Sequence, residues 1–327
     1  MPPKLQKIYD FLYSYEQSHE YEKLTGSKKS KGGRPPTYTH TSFILFFISM
    51  FLKGIFKYKK MARIVKKDFR KYGFPKPPSR KTIRRRFQQL PAVIIYMMPK
   101  IAAYCYKRVC DKTFSIKCLF SDKSIFRAKG GLWHKKFMKK GIVPHPSIDT
   151  DATWSYSPYH KWRFGYALLL IVNQNRFPVA AIADTGSLNE PSSVEQMIKP
   201  IYIHIGIIVG DAAYKVFKVI KTLFSDYDIL LQVRTEIKDK AMEWYRDLIH
   251  TPQALRLYLK RKPSVEPTFA LIKELFNLDG DKQLPYQGKK YVIPFLLITA
   301  ITVQIIAVYN FFNHRSLGQT FEFCELF

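Results

Sequence analysis

Residues 115–122 read SIKCLFSD, and residues 203–211 read IHIGIIVGD. Each is a short apolar run that closes on an aspartate, Asp122 in the first and Asp211 in the second. Runs of this length, rich in Ile, Val, Leu and Phe, suit strands buried on both faces, as in a parallel sheet. An acid just past such a strand is held at the edge of the sheet, where side chains meet ligands. The reading predicts strands over Ile116–Phe120 and Ile203–Val209, each delivering a carboxylate.

Working outward, Trp162–Asn173 (WRFGYALLLIVN) and Pro178–Asp184 (PVAAIAD) read as a hairpin, and Asp228–Val233 (DILLQV) as a fifth strand. Helices are expected over 189–198, 212–224 and 264–276, followed by a long apolar one. Three antiparallel strands and then alternating helix and strand fit a ribonuclease H-like α/β domain, a mixed sheet flanked by helices. No internal repeat is visible.

The chain ahead of the sheet reads as all-helical. Leu5, Ile8, Leu12 and Tyr15 recur at helical spacing within residues 1–24. A basic, glycine-rich linker follows at 25–36 (TGSKKSKGGRPP), where Pro35 and Pro36 stop any helix. An apolar helix (SFILFFISMFLKG) and a basic one (KYKKMARIVKKDF) come next, broken at Lys53–Gly54. The turn PKPPS at 75–79 offers Ser79 as N-cap for RKTIRRRFQQL. That segment carries Arg80, Lys81, Arg84, Arg85 and Arg86, while Ile83 and Phe87 share an inward face. Helix, short helix, turn and basic helix resemble a helix-turn-helix DNA reader. The expected organisation is therefore an N-terminal helix and linker over 1–31, a DNA-binding region over 32–113 and the ribonuclease H-like domain over 114–327.

Charge points the same way. Lys and Arg number 54 against 25 acids in 327 residues, a net charge of +29 that calls for a polyanionic partner, with DNA foremost. Hydrophobic residues at 46% exclude wholesale disorder. Cys105, Cys110, Cys118 and Cys324 lack zinc-site spacing and read as reduced thiols of an intracellular protein. The first residues lack the apolar core of a signal peptide. Val292–Tyr309 is uncharged and close to the minimum length for a membrane span, but Pro294, Thr299, Thr302 and Gln304 interrupt it. A buried core helix is expected there, and no membrane partner.

Glu266 is the third carboxylate of interest, in SVEPTFALIKELF. At helical spacing Lys262, Glu266, Ala270 and Lys273 share one face, and Phe269, Ile272 and Phe276 another. Glu266 can face a metal while Lys262 and Lys273 face phosphates; alternatively, Lys262 and Glu266 are a solvated i,i+4 pair. Pro267 suits only a first helical turn, which puts Glu266 at a helix start or a kink. In so basic a chain, three acids on separate rigid elements suit two divalent cations acting on nucleic-acid phosphates. Asp149 and Asp151 read as loop acids near the site. Asp184 is a rival to Asp122, but the hairpin is expected to carry it to the opposite end of the sheet. Trp133, Trp154, Tyr156, Tyr159 and Trp162 form an aromatic cluster beside basic residues, suited to core or rim packing or to base stacking.

Several blocks together resemble bacterial and archaeal insertion-sequence transposases of the DDE type. They are SDKSIFRAKGGLWHKK (121–136), VPHPSIDTDATWSYSPYHKWRFGYALLL (143–170), GDAAY (210–214) and the tract Tyr258…Lys262…Glu266…Lys273. GRPPTY and PPSRKTIRRRFQQLP resemble the entry domain of the same proteins, so the likeness spans about residues 32–315. The resemblance implies a ribonuclease H-like catalytic domain with Asp122, Asp211 and Glu266 as the metal-binding catalytic triad. It also implies Mg²⁺ (or Mn²⁺), two ions, cleavage at element ends and strand transfer into target DNA. Its implied partners are terminal inverted repeats and target duplex, bound by a homodimer on DNA in the cytoplasm, with Tyr258, Lys262 and Lys273 as DNA contacts. The family's third block runs Tyr, two residues, Arg, three residues, Glu, six residues, Lys. Here Tyr258–Arg261 and Glu266–Lys273 keep their spacings, but Arg261 stands one residue too far from Glu266, as a one-residue insertion would leave it. The alternatives are a metal-dependent nuclease and a decayed or domesticated DNA-binding protein.

Overall fold

The computed structural model describes residues 1, 3–17, 37–157, 161–233, 242–280 and 282–327. The linker 25–36, Tyr159 and His160 lie outside them. Six strands form one mixed sheet: β1 Cys118–Arg127, β2 Thr153–Ser157, β3 Lys161–Asn173, β4 Pro178–Thr185, β5 Ile207–Val209 and β6 Leu230–Gln232. β3 runs antiparallel to β1, β2 and β4, whereas β5 is parallel to β1 and β6. The order is β4–β3–β1–β5–β6, with β2 pairing the first residues of β3. Three antiparallel strands extended by two parallel ones make the ribonuclease H-like arrangement expected from the sequence. β3 is buried at every residue from Phe164 to Asn173, so both its faces are covered, which is why it reads as an unbroken apolar run.

Several elements differ from the sequence reading: β5 is confined to Ile207–Val209, with Tyr202–His204 a 3₁₀ turn, and the helix expected over 212–224 begins at Phe217. β1 continues beyond Asp122 to Arg127, because Asp122–Arg127 pair with Leu170–Gly165 of β3. Asp122 therefore lies inside the strand, just past the short stretch Cys118–Phe120 that pairs with β5. β2 falls in a segment to which the sequence reading assigns no strand. The helix carrying Glu266 begins at Pro252 and runs to Leu275, with Thr251 capping the Ala254 amide. Glu266 is thus mid-helix, and Pro263 and Pro267 both lie within it. Each proline removes one intrahelical hydrogen bond. Ser264 and Thr268 tie the same stretch to the β3–β4 connection through the carbonyls of Gln174 and Arg176.

One contiguous hydrophobic core runs from Leu5 to Phe327. The helix Arg80–Tyr104 is basic and exposed in its first turns but buries Leu90, Val93, Ile94, Met97, Met98 and Ile101. It packs against β4 together with the helix Lys289–Phe312. Packing thus crosses the change of sequence pattern near residue 113. The most apolar stretch of Lys289–Phe312 is 89% buried, as a core helix should be. Gln304 explains its own presence there: its amide donates to the carbonyls of Met98 (2.8 Å) and Pro178 (2.9 Å).

Candidate active site

Strand direction assembles the site. β3 is antiparallel to β1, and β4 is antiparallel to β3, so β4 runs parallel to β1 and β5. All three strands point their C-terminal ends towards one edge. Asp122 stands on β1, Asp211 follows β5, and Glu190 opens the helix Glu190–Ile198 that follows β4. One carboxylate oxygen of each lies within 4.8 Å of the others, the one such convergence of metal-ligating side chains among the described residues.

Local chemistry holds each acid in place. Asn189 caps the helix by accepting from the Ser192 amide at 3.2 Å, and Pro191 stiffens its first turn, so Glu190 projects from an anchored start. Asp211 accepts from the Ala213 amide at 2.8 Å and so caps the short turn Ala212–Tyr214. The Tyr214 ring folds back over Gly210, where a Cβ would come within 2.6 Å of it; only glycine fits. The Tyr214 hydroxyl shares a 2.6 Å hydrogen bond with buried Ser121, tying the Asp211 turn to the residue beside Asp122.

The electrostatics are uneven. Burial pushes the Asp122 carboxyl above its usual range, and the Arg261 guanidinium opposes this from 2.8 Å. Glu190 is 7% exposed. Its Oε1 pairs with Lys123 Nζ at 3.1 Å, and Lys123 also donates to the Leu188 carbonyl. Its Oε2 is buried without a hydrogen-bond partner. Burial pushes the Glu190 carboxyl up to about 7; Lys123 restrains the rise, while Asp211 and Asp122 add to it. The three acids face a cleft of about 750 Å³, lined also by Lys161, Arg163, Glu266 and Lys273. Burial, with Arg163 nearby, lowers the Lys273 ammonium below its usual range.

Glu266 lines the cleft but stands outside the convergent group. Its side chain is 56% exposed and pairs with Lys262 at 3.8 Å, one helical turn away. Arg261, displaced by one residue in the third block, is the group that turns inward to Asp122. At 3.6 residues per turn Glu266 lies about 140° around the helix from Arg261. Tyr258 packs half-buried against the core. Of the basic helix, Arg80, Lys81, Arg84 and Arg85 are exposed and Arg86 is half-buried. Arg84 stacks on the Tyr291 ring and donates to its hydroxyl, and Arg86 reaches His40 Nε2 at 3.2 Å.

The remaining candidates are structural. Asp149 and Asp151 cap the helix Lys289–Phe312, accepting from the Gly288 and Lys289 amides at 2.8 Å each. Asp184 lies at the same end of the sheet as Asp122, not the opposite one, since two antiparallel steps restore direction. It is engaged by Lys289 Nζ at 2.6 Å. Trp133 and Trp154 are tied by a hydrogen bond from the Trp154 indole to the Trp133 carbonyl. Tyr156 and Trp162 are exposed, their rings 5.2 Å apart across the β2–β3 pair.

Residues 119–282, half of the chain, match the transposase DDE domain family. The chain belongs to that family. The matched region of this DDE transposase-family protein holds Asp122, Glu190, Asp211 and Glu266. No curated protein matches the sequence. Among solved structures, the chain is similar to the piggyBac transposase in a synaptic complex with hairpin DNA. That match has 9% identity and a TM-score of 0.42, and covers 93% of this chain and 74% of that one. It is also similar to the Mos1 mariner paired-end complex with Mn, at 10% identity and TM-score 0.21, covering 84% and 88%.

Glu190 is the acid that the sequence reading passes over. Its signal is present but indirect. Counting strand directions brings the end of β4 to the edge that carries Asp122, and the N-cap and proline of NEP mark a helix start there.

Proposed function

We propose that this chain is a DNA transposase that cleaves the ends of its element and joins them to target DNA in a reaction dependent on two divalent cations, Mg²⁺ or Mn²⁺. The observation that carries the reading is the meeting of Asp122, on β1 just past its pairing with the parallel β5, and Asp211, which follows β5, in a cleft edged by Lys161, Arg163 and Lys273. The donor set suits hard cations: it is all oxygen, closely grouped and beside open space for phosphate. Divalent ions bound there supply Lewis-acid polarisation of a phosphate and activation of a water or 3′-hydroxyl. Asp122 and Asp211 hold them, with Glu266 reaching in from the helix Pro252–Leu275. Lys161, Arg163 and Lys273 bind and orient phosphate oxygens in the cleft. Arg80, Lys81, Arg84, Arg85 and Arg86 hold the flanking duplex, with Tyr258 and Lys262 as further contacts. The region 32–113 reads the terminal inverted repeats, and a homodimer pairs the two ends.

A decayed or domesticated DNA-binding protein, or a simple metal-dependent nuclease, is the second reading. It is favoured by one observation, the exposure of Glu266 and its pairing with Lys262. Labelled DNA carrying the sequences that flank the gene separates them, incubated with Mg²⁺ or Mn²⁺ and with wild type or Asp211→Asn. End cleavage and joined product, both lost in Asp211→Asn, are expected. Binding without metal-dependent product supports the decayed protein, and nicking without joining supports the nuclease.

A further inference from the structure

Glu190 stands apart from every other acid of the cleft. Its side chain is more than nine-tenths buried, yet Oε2 has no hydrogen-bond partner. A buried carboxylate oxygen left unpaired costs free energy, and one that also faces two other carboxylates costs more. Lys123 neutralises one side through Oε1. One oxygen of the Glu190 carboxylate lies within 4.8 Å of an oxygen of Asp122 and of one of Asp211. The backbone there is committed to this placement by the Asn189 cap and Pro191. Glu266, by contrast, is largely solvated and already paired.

We propose that Glu190 is a carboxylate ligand to a divalent cation held between Asp122 and Asp211, so that the centre has four acids, with Glu266 serving the outer, cleft-facing side. Asp122, Asp211 and Glu190 form the inner position. The single-residue offset between Arg261 and Glu266 is then tolerable, since the inner position does not depend on Glu266. The inference rests on the reading of this cleft as a metal-dependent phosphoryl-transfer site.

The test is Mn²⁺ binding to the full chain without DNA, followed by electron paramagnetic resonance, so the readout is independent of catalysis. Glu190→Gln is expected to weaken Mn²⁺ binding at least tenfold, and Glu266→Gln less than threefold. Lys123→Met, which removes a nearby cation and frees Oε1, is expected to leave binding unchanged or tighter. Wild-type affinity in Glu190→Gln would overturn the inference. So would equal weakening in Lys123→Met, because Glu190 would then act only through its ion pair. If Glu190→Gln does not fold, Glu190→Asp keeps the charge and shortens the reach; it should also weaken binding, and unchanged affinity there overturns the inference as well. Asp211→Asn separates the two levels. If Asp211→Asn abolishes binding and the Glu190 variants do not, only this inference fails. If Asp211→Asn binds normally, the metal-centre reading itself fails.

Discussion

Two groups of carboxylates share one end of the sheet, and they are treated in opposite ways. Asp149, Asp151 and Asp184 gather at the N-terminus of the helix Lys289–Phe312. Asp149 accepts from the Tyr166 hydroxyl, the Gly288 amide and the Asp151 amide. Asp151 accepts from the Lys289 amide, and Asp184 pairs with Lys289 Nζ. These acids complete the positive end of a buried helix. Asp122, Glu190 and Asp211 instead converge within 4.8 Å of one another, and the buried Oε2 of Glu190 has no hydrogen-bond partner. In a chain this basic, a run of acids does not mark a site; acids left unsatisfied beside a cleft do.

The largest contrast comes from paired substitutions. Asp211→Asn is expected to reduce metal-dependent DNA cleavage by about 10³-fold or more, on the order of 4 kcal/mol in the barrier, with little change in urea stability. An Asp211→Asn protein that still cleaves would remove the distinction between the two groups. Asp149→Ala should do the reverse, costing about 3 kcal/mol of unfolding free energy because it removes a buried carboxylate that accepts from the Tyr166 hydroxyl and the Gly288 and Asp151 amides. A loss below about 1 kcal/mol in urea titrations would show that the capping group is dispensable.

The next prediction concerns pH. Glu190 binds its proton more tightly folded, at about 7, than a free carboxyl at 4.5. The folded state then holds more protons within that window, so its stabilising contribution is complete below about 4.5 and is lost as pH rises through about 7. The loss is on the order of 3 kcal/mol in chelator-treated protein, and Glu190→Gln should flatten it. Equal slopes for the two proteins between pH 5 and 8 would contradict the strained burial of Glu190. The smallest effect is at Lys262. Its pair with Glu266 is exposed on both sides, so Lys262→Ala should change stability by less than about 0.5 kcal/mol. A larger loss would mean that Glu266 is held in place and belongs with the inner acids.

Some of this was legible before folding. The runs before Asp122 and Asp211 are apolar because their strands are covered on both faces. Val292–Tyr309 read as a core helix because Pro294, Thr299, Thr302 and Gln304 interrupt the apolar run, and in the fold Thr299, Thr302 and Gln304 find partners inside the protein. β2 was not legible: TWSYS is five residues of mixed, mostly half-buried character, with little alternation to read. The first half of the helix Pro252–Leu275 was missed because Pro267 read as fitting a helix start or a kink, whereas the helix runs through both Pro263 and Pro267, with Ser264 and Thr268 bonded to the β3–β4 connection.

The sequence by itself determined five of the six strands in outline, the acids on β1 and after β5, the buried apolar helix and the basic helix after Ser79. Each is written in short-range periodicity, burial pattern or capping, which the chain carries locally. Only the tertiary structure decided which acids meet. That outcome depends on strand order and direction, which bring the end of β4 and Glu190 to the edge of β1, and on the phase of one helix, which turns Arg261 towards Asp122 and Glu266 towards solvent. Both are long-range relations between segments far apart in the chain, and no local spacing encodes them.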